Sequence, residues 1–376
     1  MAQKIITADN NYADIDIWIN ENNIEKIFLV GGGSVKRQVA FQTYLDQLER
    51  KGIGIFYFSD FQPNPLYDSV VKGVKLFKEE QCNAIMSVGG GSALDVAKCI
   101  KLFSNMVGDG TNGDYLQQVI VPNRIPFLAM PTTAGTGSEA TRYAVIYYNG
   151  NKQSVTHESS IPDTVLMDSS VLKTLPLYQK KATMMDAFCH ALESFWSVNS
   201  TKESKSYSKK AIELVLTYME GYLANTDDGN AGMLMAANIA GKAINITQTT
   251  AGHAMCYKIT SLFSVAHGHA AILCDRKLLP WMVEHIGDCI DPRGQQYLKE
   301  TLLEIAIAME CNSAEEAVDK LEAIFAELKL EVPVATAEQF EILKTSVNPV
   351  RLKNHPVKLT EETINELYHQ IINKMV

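Results

Sequence analysis

The chain has 376 residues, of which 46% are hydrophobic and 20% are charged, and this length predicts two domains rather than one. Its 43 Asp and Glu residues outnumber its 34 Lys and Arg residues, so the net charge is −9 and the basic excess typical of a nucleic-acid-binding protein is absent. The composition also excludes intrinsic disorder, collagen-like repeats and a small secreted scaffold held by disulfides.

Neither a signal peptide nor a membrane span is predicted. The first residues, MAQKIITADNNYADID, contain no long apolar region, and no segment approaches the ~18–20 uninterrupted apolar residues that a membrane helix needs. The seven cysteines are scattered, odd in number and without zinc-finger spacing, a pattern typical of reduced, buried thiols. We therefore expect a cytoplasmic protein with neither a membrane nor a nucleic-acid partner.

The first part of the chain alternates short apolar runs with helical patterns. Such alternation predicts parallel β–α–β units, whose ligands bind at the carboxyl ends of the strands. After Tyr67, the residues Val70, Val74 and Phe77 recur at helical spacing and define one buried helix face. The four predicted strands are KIFLV (26–30), GIFYF (54–58), NAIMSV (83–88) and FLAM (127–130).

From about residue 176 strand-like runs become rare and helical patterns dominate. We therefore divide the chain into an α/β dinucleotide-binding domain, residues 1–175, and an all-helical metal and substrate domain, residues 176–376. The windows that predict helices in the second domain are 178–198, 203–224, 230–246, 254–263, 297–309, 313–329 and 360–374.

Glycines follow the first and third predicted strands, at 31–33 and 89–91. In the second of these loops, glycine lets the backbone approach a phosphate, the following helix N-terminus favours an anion, and Ser92 adds a hydroxyl. Many strand–helix corners contain glycine for turning alone, so this loop by itself leaves both interpretations open.

A second polar loop, residues 131–139, carries four hydroxyl groups and two glycines directly after the fourth strand. A plain turn does not need so many hydroxyls, whereas a diphosphate needs hydrogen-bond donors. The two loops together predict one bound dinucleotide. Neither has the P-loop pattern, which argues against nucleotide hydrolysis.

A carboxylate and three imidazoles form a candidate metal set. Asp186 and His190 lie four residues apart on one helical face, and His253 and His267 follow fourteen residues apart from each other. Any one of these histidines alone is more often a core or surface residue, but together they suit Fe2+, Zn2+ or Mn2+. Beside a dinucleotide, such a metal predicts hydride transfer to a carbonyl group that the cation polarises.

The remaining histidines offer weaker candidates. His355 and His369 lie in polar surroundings that predict exposure to solvent, whereas His157 is a further candidate for the site.

These motifs resemble those of the iron-containing (group III) alcohol dehydrogenases, a family that includes lactaldehyde reductase and glycerol dehydrogenase. The likeness runs from about residue 26 to residue 281. It implies a Rossmann-like parallel-sheet domain followed by an all-α domain, the dehydroquinate synthase-like arrangement. The matching segments are GGGSALDVAK (89–98), PTTAGTGSEAT (131–141), MDAFCHALESF (185–195) and the pair His253 and His267.

The resemblance also implies roles for individual residues. Metal ligation falls on Asp186, His190, His253 and His267, and cofactor contacts fall on Gly90, Gly91, Ser92, Asp95, Thr132, Thr133, Thr136 and Lys152.

Two departures from the family pattern concern chemistry and cofactor choice. Tyr257 stands where the family usually has a histidine near the nicotinamide; we assign catalytic roles to Tyr257 and His267, although a tyrosine is the weaker base at neutral pH. The family often has an aspartate four residues before its PNP motif, where this chain has Ser59 followed by Asp60, so NAD and NADP both remain compatible with the sequence.

Two cations are candidates for holding an anionic substrate. Lys258 follows Tyr257, and Arg142 follows the hydroxyl-rich loop; each is either a salt-bridge partner or a ligand for an anionic tail. The segment ESFWSVNSTKES (193–204) also resembles the phosphonoacetaldehyde reductase branch of the family, which forms 2-hydroxyethylphosphonate.

We therefore predict a metal-dependent NAD(P)-linked alcohol dehydrogenase or aldehyde reductase. It would use Fe2+ or Zn2+, act on a small aldehyde or alcohol with phosphonoacetaldehyde as candidate, and form a homodimer. The alternative is a metal lyase of the dehydroquinate synthase kind, which would use NAD only transiently.

Overall fold

The computed structural model describes residues 3–8, 11–347 and 349–375, with the backbone alone for positions 34, 350 and 351. Its chain divides into two compact units. The first unit combines the chain up to Thr133 with Gly137–Thr174, and the second combines Ala134–Thr136 with the chain from Leu175 onward.

The first unit is an α/β structure. Its strands are β1 (Lys4–Thr7), β2 (Lys26–Gly31), β3 (Gly54–Phe58), β4 (Ala84–Gly89), β5 (Phe127–Pro131), β6 (Tyr143–Tyr148), β7 (Asn151–Thr156) and β8 (Thr164–Met167). Its helices are α1 (Ala13–Glu21), α2 (Gly33–Arg37), α3 (Val39–Arg50), α4 (Tyr67–Glu79), α5 (Gly91–Phe103) and α6 (Asp114–Gln117).

Six of these strands form one parallel sheet in the order β1–β8–β5–β4–β2–β3. The four strands predicted from apolar runs are β2, β3, β4 and β5, so the parallel α/β prediction is confirmed. The short strands β1 and β8 at one side of the sheet were not predicted.

A separate antiparallel hairpin joins β6 to β7. Its turn residues Asn149 and Gly150 both have positive φ, 48° and 74°. Positive φ at two successive turn residues matches the right-handed twist of the flanking strands, and an Asn-Gly pair adopts it with little strain.

Amphipathic helices cover the sheet. The predicted apolar face of α4 is buried, since Val70, Val74 and Phe77 are all at most 6% exposed. They pack in a core cluster with Phe28 of β2 and Ile85 of β4. Burial of each such side chain contributes about 1.5–3 kcal/mol to stability, so the period of the sequence sets which face of the helix meets the sheet.

The second unit is helical apart from a parallel pair of two-residue strands, β9 (Val334–Ala335) and β10 (Asn373–Lys374). Its helices are α7 (Leu177–Trp196), α8 (Lys202–Leu223), α9 (Asp227–Thr247), α10 (Ala251–Phe263), α11 (His267–Glu284), α12 (Gln295–Ala308), α13 (Ala314–Leu328), α14 (Ala337–Lys344), α15 (Pro349–Leu352) and α16 (Glu361–Ile371).

The seven predicted helical windows correspond to α7–α10, α12, α13 and α16. The windows omitted α11, whose pattern is interrupted by Pro280 inside the helix, and the shorter α14 and α15. Within the described ranges, no helix is both long enough and apolar enough to cross a membrane.

His355 differs from its predicted exposure. It is fully buried, and its ring packs edge-on against Trp196 with centroids 6.4 Å apart. Neither ring nitrogen has a hydrogen-bond partner among the residues that the structure describes. The prediction of a solvated His355 was therefore wrong, whereas His369 is exposed as predicted.

Burial lowers the pKa of His355 from 6.5 to about 4, against an opposing effect of Glu193. As the pH falls, the His355 ring is protonated near pH 6.5 in the unfolded chain and only near pH 4 in the folded chain. Stability gained from the neutral ring is therefore complete above about pH 6.5 and is lost as the pH falls toward 4. We expect His355→Leu to remove up to about 3 kcal/mol of this acid destabilisation.

Thermal melting of the two proteins between pH 7 and pH 4.5 measures this difference, with His369→Leu as the exposed control. Equal loss of melting temperature on acidification in wild type and His355→Leu would contradict the prediction.

Candidate active site

Three helices of the second unit each supply one residue to a compact cluster. Asp186 lies on α7, His253 on α10 and His267 at the start of α11, and their ligand atoms lie within 4.8 Å of one another. Asp186 Oδ1 is 3.5 Å from His253 Nε2 and 3.9 Å from His267 Nε2. Ligand atoms around one tetrahedral metal lie about 3.4 Å apart, so these separations suit a shared cation.

The cluster contains buried polar atoms that need a partner. Asp186 and His253 are 2% and 1% exposed. Asp186 Oδ1 and His253 Nε2 have no hydrogen-bond partner of good geometry within the part of the chain that the structure describes. Leaving such atoms unsatisfied costs about 1–3 kcal/mol each. A borderline divalent metal, which binds imidazole and carboxylate together, fits these donors.

The electrostatics of the cluster favour a positive charge at its centre. Burial alone would raise the pKa of Asp186, but His190, His253 and His267 bring it well below its usual range. Burial would lower the pKa of His253, yet Glu193 and Asp186 raise it to about 10. Because two carboxylates stabilise a cation here, either a proton or a metal ion meets the same demand.

His190, the fourth predicted ligand, lies beside this cluster. Its ring stacks on His253 with centroids 4.4 Å apart, and it hydrogen-bonds the backbone of Gly135. Its Nδ1 has no partner among the described residues. Burial lowers the pKa of His190 to about 4, so the ring is neutral, as ligation requires. Its ligation of a metal stays a prediction.

Behind the cluster lies Glu193, which the sequence reasoning did not single out. It is fully buried and accepts hydrogen bonds from His253 and Thr250. The signal for it was available, because Glu193 follows Asp186 by seven residues and His190 by three. This spacing places all three side chains on one face of α7.

Tyr257 and Lys258 follow His253 by one helical turn on α10. The Tyr257 ring stacks on that of His267, with centroids 5.3 Å apart and planes 28° apart. Lys258 is partly exposed and forms no ion pair with any residue in the described ranges. The predicted catalytic pair, Tyr257 and His267, is therefore in ring contact.

In the first unit, the two predicted cofactor loops are neighbours. They follow the adjacent strands β4 and β5, and the Thr132 backbone N–H donates to the Gly89 carbonyl at 3.0 Å. A Cβ on Gly90 would lie 3.3 Å from Thr133 Oγ1. This close approach keeps Gly90 small and brings a threonine hydroxyl beside the N-terminus of α5.

A cavity of about 340 Å³ opens at these strand ends. It is lined by both glycine loops, including the predicted Gly90, Gly91 and Ser92, and it lies beside the N-terminus of α5, where an anion is favoured. The residues that line it are Gly32, Gly33, Phe61, Gln62, Pro63, Gly89, Gly90, Gly91, Ser92 and Ala93.

A buried ammonium group stabilises the end of the hydroxyl-rich loop and the residues that follow it. The Lys98 ammonium is fully buried and donates to the carbonyls of Ser138, Thr141 and Tyr143 at 2.6–2.8 Å. Asp95, predicted to contact the cofactor, accepts from the Ser138 hydroxyl and the Val145 N–H. Burial lowers the pKa of Lys98 to about 8, which Asp95 opposes. Sequence reasoning missed Lys98, although it follows Asp95 by one helical turn.

Three further predicted residues lie elsewhere. Arg142 pairs with Glu158, so its charge already has a partner within the first unit. Lys152 lies on β7 and its charge acts on Asp95. Thr136 belongs to the short loop segment of the second unit.

Comparison with known families identifies the class of this protein. The family profile "Iron-containing alcohol dehydrogenase" matches residues 2–169, and "Fe-containing alcohol dehydrogenase family, C-terminal" matches residues 180–372. The chain therefore belongs to the iron-containing alcohol dehydrogenase family. Its members are oxidoreductases that carry a metal and act on alcohols or aldehydes with a nicotinamide cofactor, so the lyase alternative loses its support.

Individual relatives agree with this assignment. "Long-chain-alcohol dehydrogenase 1" of Geobacillus thermodenitrificans is 28% identical over 335 residues, 85% of this chain and 83% of that protein. A phosphonoacetaldehyde reductase of Streptomyces viridochromogenes is 29% identical over 248 residues, 62% of each chain. The fold matches that of a sulfoacetaldehyde reductase from Bifidobacterium kashiwanohense in complex with NAD+, with a TM-score of 0.86, 23% identity and coverage of 98% and 96%.

The metal cluster predicts a ligand-dependent gain in stability. Zn2+ added to chelator-treated protein should raise the melting temperature, since a ligand at 100 times its Kd contributes about 2.7 kcal/mol. We expect His267→Ala to lose most of this shift while melting nearly as wild type without metal, because the ring is partly exposed. His369→Ala is the control, and a full zinc shift in His267→Ala would contradict the assignment.

If Lys98 holds the hydroxyl-rich loop in place for the cofactor, removing its ammonium group should weaken the binding of NADH or NADPH. Lys98→Met leaves the carbonyls of Ser138, Thr141 and Tyr143 without this donor, at about 1–3 kcal/mol each. We expect the Kd for NADH or NADPH, measured by fluorescence titration, to rise at least tenfold. The control Lys101→Met removes another buried ammonium, bonded to Asn123, and should lower stability without changing the Kd. Equal nucleotide affinity in both variants would refute this role.

Proposed function

We propose that this protein reduces a small aldehyde that carries an anionic tail, using NADH or NADPH and a divalent metal, with phosphonoacetaldehyde as the candidate substrate. The observation that carries the proposal is the cluster of Asp186, His253 and His267, whose ligand atoms lie within 4.8 Å of one another. Two of these atoms, Asp186 Oδ1 and His253 Nε2, are buried and have no hydrogen-bond partner among the described residues. The net reaction consumes one aldehyde, one reduced nicotinamide and one proton, and yields the alcohol and oxidised cofactor.

The proposed metal ligands are Asp186, His190, His253 and His267. A bound Fe2+ or Zn2+ would act as a Lewis acid on the aldehyde oxygen while the reduced nicotinamide supplies the hydride. His253 and His267 lie within the first turns of α10 and α11, so two helix N-termini add positive potential beside the cluster. This potential favours the negative charge that develops on the substrate oxygen.

Tyr257 is proposed as the proton donor. Its ring stacks on His267 one helical turn from His253, which holds the side chain next to the ligands. The phenol hydroxyl donates a proton readily to an oxygen whose negative charge is increasing, a task that does not require tyrosine to act as a base. The hydroxyl-rich and glycine loops of the first unit, with Ser92, Thr132 and Thr133, are proposed to hold the cofactor diphosphate.

Lys258 is proposed to bind the anionic tail. It follows Tyr257 directly and forms no ion pair within the described ranges, in contrast to Arg142, which pairs with Glu158. An ammonium group suits a phosphonate or a carboxylate. The 29% identity to a phosphonoacetaldehyde reductase supports a phosphonate as the first choice. The homodimer and the cytoplasmic location also remain predictions.

A kinetic comparison of aldehydes tests this function. Protein loaded with Fe2+ or Zn2+ is assayed by nicotinamide absorbance with phosphonoacetaldehyde and with propanal, using NADH and NADPH in turn. We expect lasting cofactor oxidation and a kcat/KM for the phosphonate at least tenfold above that for propanal. Absence of lasting oxidation with either aldehyde would contradict reductase chemistry, and equal rates would contradict recognition of the tail.

Variants separate the tail from the reacting group. Lys258→Ala should lower kcat/KM for phosphonoacetaldehyde at least tenfold, the effect of losing about 1.5–3 kcal/mol of charge-assisted hydrogen bonding, and leave propanal within twofold. Arg142→Ala is the matched control, expected to change neither substrate more than twofold. An equal effect of Lys258→Ala on both aldehydes would refute its role.

A further inference from the structure

We propose that Glu193 is a positioning residue of the metal site, which fixes the orientation and tautomer of His253 and thereby sets the affinity for the divalent cation. The inference rests on the proposed metal site and extends it to a residue that is not a ligand. The hydrogen bonds around the buried Glu193 carboxylate support this role.

Both oxygens of Glu193 accept hydrogen bonds from α10 or its cap. Oε1 accepts from the His253 backbone N–H at 2.9 Å and from His253 Nδ1. Oε2 accepts from the Thr250 hydroxyl at 2.7 Å and from the Thr250 backbone N–H. A carboxylate only accepts, so His253 Nδ1 must carry a proton, and Nε2 is the nitrogen that would bind a metal once the metal replaces its proton.

The same contacts hold the backbone of His253. Thr250 is the N-cap of α10, and His253 is the third residue of that helix. The first N–H groups of a helix have no partner inside it, and Glu193 satisfies two of them from a neighbouring helix. Trp196 Nε1 donates to the Thr250 hydroxyl at 2.9 Å, which directs the hydroxyl proton toward Glu193. Glu193 therefore fixes both the ring and the main chain of His253.

The helices approach closely around this carboxylate. A Cβ placed on Gly252 would lie 2.7 Å from Glu193 Oε1 and 1.9 Å from Asp275 Oδ1. Real Cβ atoms do not approach so closely, so a side chain at position 252 would displace Glu193 or Asp275. The absence of a side chain at Gly252 is what lets Glu193 reach α10.

The second histidine of the cluster has a weaker outer contact. His267 Nδ1 lies 3.6 Å from Cys256 Sγ, and a thiol is a weak hydrogen-bonding group. The His267 side chain is also 36% exposed, against 2% for His253. His253 is therefore the more buried of the two imidazoles, and it is the one whose Nδ1 contacts a carboxylate, that of Glu193.

Glu193→Gln tests the proposal. The glutamine amide would bring an NH₂ group to a place where Thr250 and His253 both donate hydrogen bonds. If the NH₂ faces Thr250, the Thr250 contacts are lost. If it faces His253, the His253 ring changes to the tautomer that is protonated on Nε2, the nitrogen that would bind the metal. We expect a 10–100-fold higher Kd for Zn2+, measured by competition with a chromophoric chelator, as found for outer partners of metal ligands. In zinc-loaded protein, nitrogen NMR of the histidine rings should report an Nδ1–H tautomer for His253 in wild type and its loss in the variant.

Glu193→Asp is a second variant, which keeps the carboxylate charge but shortens the side chain by one methylene and so moves the carboxylate away from His253. We expect its Kd for Zn2+ to rise at least fivefold, because position rather than charge alone is required. Asp291→Asn is the matched control, since Asp291 is a buried carboxylate of the same unit that pairs with Arg293. It should lower stability and leave the Kd within twofold.

The outcomes distinguish the two proposals. Zinc binding by wild type with equal affinity in both Glu193 variants would overturn the positioning role and leave the proposed function standing. Wild-type protein that binds no Zn2+ or Fe2+ would overturn both. A wild-type His253 without a proton on Nδ1 in the zinc-loaded state would overturn the positioning role even if Glu193→Gln failed to fold.

Discussion

Two buried carboxylates with one imidazole between them organise the second unit. Asp186 and Glu193 are 2% and 0% exposed, and His253 directs Nε2 toward the first and Nδ1 toward the second. Removing a carboxylate from water costs several kcal/mol unless opposite charge and hydrogen bonds compensate. Glu193 has its compensation in His253 and Thr250. The charges that act on Asp186 are those of three imidazoles, and its Oδ1 has no hydrogen-bond partner among the described residues, which makes the cluster suited to a cation.

The first unit meets a different requirement, since it must hold polar loops open at the carboxyl end of a parallel sheet. Neighbouring strands β4 and β5 end at the same edge, which brings the glycine loop against the threonines. The loop after β5 is long and polar, and Lys98 binds its backbone from inside the protein. An ammonium group can donate to three carbonyls at once, so the single Lys98 side chain supplies hydrogen bonds to three backbone carbonyls of this region.

The sequence was informative where periodicity or spacing carried the signal. Apolar runs identified β2–β5 because buried parallel strands are continuously hydrophobic. The same rule missed β1 (KIIT) and β8 (TVLM), whose apolar runs are only two and three residues long. The β6–β7 hairpin was within reach, because Asn149-Gly150 between alternating segments is a strong hairpin signal.

The candidate metal ligands could be chosen from the sequence, whereas most of the contacts that support them could not. Asp186, His253 and His267 could be chosen by chemistry, since few side chains bind metals. Glu193 was within reach, because its spacing places it on one face of α7 with Asp186 and His190, but the sequence does not reveal that its carboxylate is completely buried. Lys98 resembles an ordinary helix-surface charge in sequence, and its complete burial distinguishes it. His355 shows the reverse error, because polar neighbours in sequence do not reveal that Trp196 covers its ring.

One rigid helix carries Asp186, His190 and Glu193 at intervals of four and three residues. A single-residue insertion ahead of them would rotate the face by about 100° and remove all three together. Tyr257 and Lys258 lie on a different helix, where each can be exchanged singly. The relative positions of the three α7 residues are therefore fixed by one helix, whereas the proposed proton donor and the proposed anion-binding residue on α10 can be substituted without moving them.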